Sequence, residues 1–97
     1  MKRTSSMVYK QTAESEELHL YGVNNHRVYS HLKEVEKNLK KKIEKGTYDS
    51  DKAVDAFYHV ANTASAEYHR EFGYGFSVQD RFTCACDFRD DFEGEVF

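Results

Sequence analysis

Cys84, Cys86 and the histidines at 19, 26, 31, 59 and 69 are the side chains that could ligate a transition metal or serve as nucleophile and base. Their spacing argues against both roles. On a helix, positions i and i+2 point about 200° apart, so the two thiols face different directions and cannot share one ion. A disulfide between them would break the helix, and the pair reads as two small, half-buried thiols of an intracellular protein. No two histidines fall at i and i+4 with a third ligand, no Ser or Cys sits in a nucleophile elbow, and no glycine-rich loop is present to cradle a phosphate. His31 with Glu34, and His59 with Asp55, are ordinary helix neighbours. No catalytic residue, metal site or cofactor is therefore expected, and the chain is not read as an enzyme.

What remains is charge. The formal net charge of −3 conceals a lopsided distribution. Asp80, Asp87, Asp90, Asp91, Glu93 and Glu95 crowd the C-terminal end against only Arg81 and Arg89, and Glu14, Glu16 and Glu17 form a second acidic cluster. Carboxylates set along helices can imitate a phosphate backbone and occupy a basic nucleic-acid channel, held by the Coulombic and counterion-release terms that hold DNA there. These nine residues are the candidate partner-binding set. A charged, solvated surface that serves only solubility is the plainer reading of the same residues.

The opposite sign collects between Lys33 and Lys45, where six lysines stand against three glutamates. This run is interleaved with Leu39 and Ile43 and lacks clustered arginines or aromatics, so it reads first as the solvated face of a helix. Direct contact with nucleic acid is not expected of a chain with a pI near 5.9, although this helix could supply a phosphate-binding patch.

The elements that must position these charges follow from a chain with no proline and few glycines, at 22, 46, 73, 75 and 94. Val28, Leu32, Val35, Leu39 and Ile43 recur at helical spacing, which predicts a helix from Asn25 or His26 to Lys45 with Gly46 at its left-handed end. A second helix begins after Asp49 or Ser50 and runs to Gly73 on the stripe Ala53, Phe57, Val60 or Ala61, Ala64, Tyr68 and Phe72. Its small residues at 53, 56, 61, 64 and 66 would let another helix come close. A third, short one starts at the capping-box pattern of Ser77 to Asp80, carries Val78, Phe82, Ala85, Phe88 or Arg89, Phe92 and Val96 on one side, and ends near Gly94. A shorter N-terminal helix spans about Ala13 to Tyr21 behind Thr12. Residues 1–10 read as a flexible or extended arm, with Met7-Val8-Tyr9 as a single strand at most.

The expected fold is thus a small all-α bundle of three main helices plus a short N-terminal one, in one domain over residues 1–97. Fourteen aromatics can fill its core. The predicted core is Val28, Leu32, Val35, Leu39, Phe57, Val60, Ala64, Tyr68, Phe72, Phe82 and Phe92. No apolar run approaches the roughly 20 residues needed to cross a bilayer, so no membrane association is expected.

Lys37 to Val60, Glu17-Leu18-His19-Leu20-Tyr21 and Ala66 to Gly73 together resemble a core seen in small open reading frames of bacteriophages and integrated mobile elements. The resemblance spans roughly residues 17 to 95 and names no chemistry. It implies a mobile-element origin and a place in the host cytoplasm. In size and charge the chain is also similar to type I-F anti-CRISPR proteins. That likeness implies an inhibitor that binds a CRISPR surveillance complex and blocks target DNA by acidic mimicry. The alternative is a small DNA-binding or accessory regulator that uses the lysine-rich helix.

Overall fold

The computed structural model describes residues 12–97, and the arm expected at residues 1–10 lies outside them. The chain is all-α, with α1 (Ala13–Asn24), α2 (His26–Lys45), α3 (Ser50–Phe72) and α4 (Val78–Val96).

Each helix begins where a short polar side chain can take up free N–H groups. Thr12 Oγ1 accepts from the Ser15 amide, and Ser15 Oγ accepts from the Thr12 amide in return. Asn25 Oδ1 accepts from Val28, Asp49 from Asp51 and Lys52, and Ser77 from Asp80. Asn25 ends α1 and caps α2 with the same extended backbone, so a single residue turns the chain between them. Gly46 and Gly73 close α2 and α3 at φ 74°, a conformation a Cβ would strain.

The centre of the bundle is α3, which packs against all three other helices. It runs antiparallel to α2, since Arg27 meets Glu67 and His31 meets Thr63. It also runs antiparallel to α4, since Phe57 packs on Phe88 and Phe92 while Tyr68 packs on Phe76. In contrast, α1 and α4 run in the same direction: Thr12 meets Asp80 at one end and His19 meets Asp91 at the other.

The core joins Leu18, Val28, Leu32, Leu39, Phe57, Val60, Ala64 and Phe92, with Val54, Phe76, Cys84, Ala85 and Phe88 filling between them. Full burial of each Val, Leu or Phe among them stabilises by about 1.5–3 kcal/mol. Helix α1 comes close to its neighbours at Gly22, where an added Cβ would stand 3.1 Å from the Phe88 ring and 3.8 Å from Ala64. The small residue at 64 admits a neighbouring helix, as its type predicts.

Three expectations shift. The N-terminal helix continues past Tyr21 to Asn24, because Gly22 is required inside it for close packing rather than as a stop. At the other end α4 runs through Gly94 to Val96. Two predicted core residues lie outside the core: Phe72 is 59% exposed at the last residue of α3, and Phe82 is 42% exposed on the first turns of α4. Phe76, in the linker before α4, is buried at that end of the core, packed 4.9 Å from Tyr68 and 5.0 Å from Tyr74. Val35 and Tyr68 are half-buried against the core.

Candidate functional site

Asp80, Asp87, Asp91 and Glu95 follow each other on α4 at steps of 7, 4 and 4, which places them along one side of the helix. That side meets α1, as the Thr12 hydroxyl donating to Asp80 at 3.2 Å and His19 beside Asp91 both require. The two acidic clusters therefore come together in part, along the seam where α1 and α4 lie side by side.

The middle of the seam is His19. Its ring stands edge-on to Phe88 at 4.9 Å, and its Nε2 lies 2.9 Å from Asp91 Oδ2. The contact is short but poorly aligned for a hydrogen bond, and it is an ion pair when the ring is protonated. Asp91 raises the His19 pKa above 6.5, burial of the ring opposes it, and the carboxylates of Asp87 and Glu16 add to the rise. The imidazole therefore gives up its proton at a higher pH than a free one, under the influence of carboxylates on both helices.

The remaining predicted residues divide. Glu14 and Glu95 are exposed. Glu17 turns away from α4 and accepts the hydroxyl proton of Tyr68 on α3. Glu93 accepts from the Tyr48 hydroxyl at 2.7 Å and so ties the α2–α3 loop to α4. Asp90 is only 4% exposed and lies 3.3 Å from Arg89 Nε, while Arg89 also donates to the Ser50 carbonyl. Asp90 and Glu93 therefore hold the fold together on the side of α4 turned towards α3 and its preceding loop.

Beside the seam, α1 and α3 leave an open groove of about 580 Å³ lined by Glu16, Glu17, Leu20, Tyr21, Tyr68 and Phe72, among others. Its lining includes packed rings, Tyr21 to Tyr68 at 5.0 Å and Tyr68 to Phe72 at 4.7 Å. Tyr21 and Tyr68 each donate their hydroxyl to a carboxylate, Glu71 and Glu17 respectively. Leu20 and Phe72 remain 51% and 59% exposed. The sequence reading missed this groove. Its signal was Leu20, which falls off the buried side of α1 set by Ser15, Leu18 and Gly22.

On the opposite sign, Lys33, Lys37, Lys40 and Lys41 line a shallow surface groove on α2 together with Glu36 and Glu44. Lys33 is held by Glu36 at 3.2 Å, whereas Lys37, Lys40, Lys41, Lys42 and Lys45 are exposed. Cys84 and Cys86 are both buried and unpaired. Among the described residues no group of three or more His, Cys, Asp or Glu is arranged to hold a metal ion, and no helix is long and apolar enough to cross a membrane.

Comparison of the chain with family models, with curated proteins and with solved structures returns no match.

Proposed function

We propose that this chain is a small inhibitor without catalytic activity that binds a host nucleic-acid-handling complex, a CRISPR surveillance complex, and excludes target DNA. The observation that carries the reading is the alignment of Asp80, Asp87 and Asp91 along the side of α4 that meets α1, where Asp91 lies 2.9 Å from His19 and Thr12 donates to Asp80. Carboxylates held on a rigid helix pair offer a basic channel what phosphates offer it, and the channel's lysines and arginines release their counterions to either ligand. The resemblance to phage and mobile-element reading frames supplies the host-directed setting.

The test is a competition. Guide-loaded surveillance complex is mixed with increasing amounts of the protein, and target-DNA binding is followed by mobility shift at about 50 and about 200 mM salt. Stoichiometric loss of DNA binding, weaker at the higher salt, is the expected result. Unchanged DNA binding at several-fold excess of the protein sinks the reading.

The exposed lysines of α2 favour a second reading, a regulator that contacts nucleic acid directly. Glu36 and Glu44 interrupt that lysine surface, which is why it ranks second. A mobility shift with plain duplex DNA alone separates the two, because only the lysine reading gives a complex.

A further inference from the structure

The groove between α1 and α3 combines two properties that solvent alone does not call for. Leu20 and Phe72 stand half-exposed on the two helices that line it, beside the packed rings of Tyr21 and Tyr68. Among the described residues lining the groove, the only charged ones are Glu16 and Glu17, and Glu71 is fixed just beyond on the Tyr21 hydroxyl. An apolar depression whose only charged lining residues are carboxylates complements an apolar side chain flanked by cations.

We propose that this groove docks a basic segment of the partner protein, an aliphatic anchor seated over Leu20 and Phe72 with arginines on either side reaching Glu16 and Glu17. The proposal rests on the reading of the chain as a binder of a basic partner, and adds where the partner is gripped. Glu16 belongs both to the groove and to the carboxylates around His19, so the two surfaces are continuous. The seam then supplies long-range attraction, which screens with salt, while the groove supplies desolvated contact, which does not. Tyr21 and Tyr68 are held by their own carboxylates before any partner arrives, so these rings need no reordering on binding. Arginine suits the site better than lysine, because its planar head can lie on the exposed Phe72 ring while pairing with a carboxylate.

The experiment uses the full chain, labelled with nitrogen-15, titrated with the capped peptide Arg-Arg-Leu-Arg-Arg and followed by amide shifts. Saturable shifts at Leu20, Tyr21, Tyr68 and Phe72 are expected, with affinity falling about fivefold or more when the central Leu of the peptide is replaced by Ser. The double variant Leu20→Ser with Phe72→Ser alters half-exposed side chains and should lose about tenfold in affinity, with amide shifts outside the groove and its neighbouring rings unchanged. Absence of binding overturns the proposal, as do equal binding of the Leu and Ser peptides and shifts centred on Asp87 and Asp91. Two further outcomes overturn it by naming another occupant: dilution shifts without peptide mean a second copy of the chain, and Phe72 shifts on deletion of residues 1–11 mean the chain's own N-terminus. Peptide binding at the groove with no competition against target DNA would leave the docking site standing and the inhibitor reading fallen. Competition with unaltered peptide affinity in the double variant would do the reverse.

Discussion

His19 Nε2 and Asp91 Oδ2 lie 2.9 Å apart across the α1–α4 seam, so the one imidazole in the seam is set among the carboxylates that give this side of the molecule its charge. Its protonation removes one unit of net negative charge from this side and strengthens the pairing of α1 with Asp91.

The pH dependence follows in sign. The folded pKa of His19 is raised above the unfolded value of 6.5, so its stabilising contribution is complete below pH 6.5 and is lost as pH rises through the folded pKa. Thermal unfolding followed across that window should show the midpoint falling as pH rises. Asp91→Asn should flatten the fall and move the imidazole titration, read by proton NMR, to lower pH. A His19 titration unmoved by Asp91→Asn would refute the pairing.

Carboxylates that looked alike in the sequence should respond differently to substitution. Glu16→Gln combined with Asp91→Asn alters exposed groups and should cost about 1 kcal/mol or less in urea unfolding. Asp90→Lys buries a cation beside Arg89 and should cost about 3–5 kcal/mol, or prevent folding. Similar costs for the two changes would mean that Asp90 is not the structural member of the set.

Gly22 gives a packing test. Gly22→Val adds bulk where a Cβ alone would stand 3.1 Å from Phe88, and should destabilise by about 1–3 kcal/mol. Adding Phe88→Leu should recover part of that loss, so that the double variant is more stable than the sum of the single effects predicts. Strict additivity would show that the ring is not what Gly22 accommodates.

The thiols should report on opening of the bundle. Burial pushes Cys86 up to about 11 and Cys84 higher still. Ellman's reagent at about pH 8 should therefore leave both unmodified in the native protein and react with both in denaturant. Rapid reaction without denaturant would place α4 in an open, frequently exchanging state.

Several helix boundaries were legible because their signals are local: Ser77 caps the helix it was expected to cap, Asp49 is the one of the two candidates, Asp49 and Ser50, that caps α3, and Gly46 and Gly73 end the helices before them. The ends of α1 and α4 lie further on than their glycines suggested. The core was legible where periodicity meets a neighbouring helix, as at Val28, Leu32, Phe57 and Phe92. It failed at Phe72 and Phe82, where a regular stripe continues past the helix that should cover it, and at Phe76, which belongs to no stripe. The acidic set was legible as composition but not as a surface. Whether Asp87 and Asp90 look outward or inward depends on which helices flank α4, and that is decided by long-range packing. The groove at Leu20 and Phe72 was hidden for the same reason, since it exists only between elements.

The parallel pairing of α1 with α4 also orders events in time. Thr12 and Asp80 are 68 positions apart in the chain, whereas α2 and α3 are sequence neighbours joined by a four-residue turn from Gly46 to Asp49. The local hairpin can close early, but the seam waits for the whole intervening chain to compact, and non-local closure of this kind is the slower step. During synthesis, α1 can meet α2 and α3 once they emerge, but its seam with α4 waits for that last helix. The charged surface is therefore a property of the finished molecule alone: a nascent or C-terminally clipped chain carries Glu16 and His19 but lacks their seam with α4.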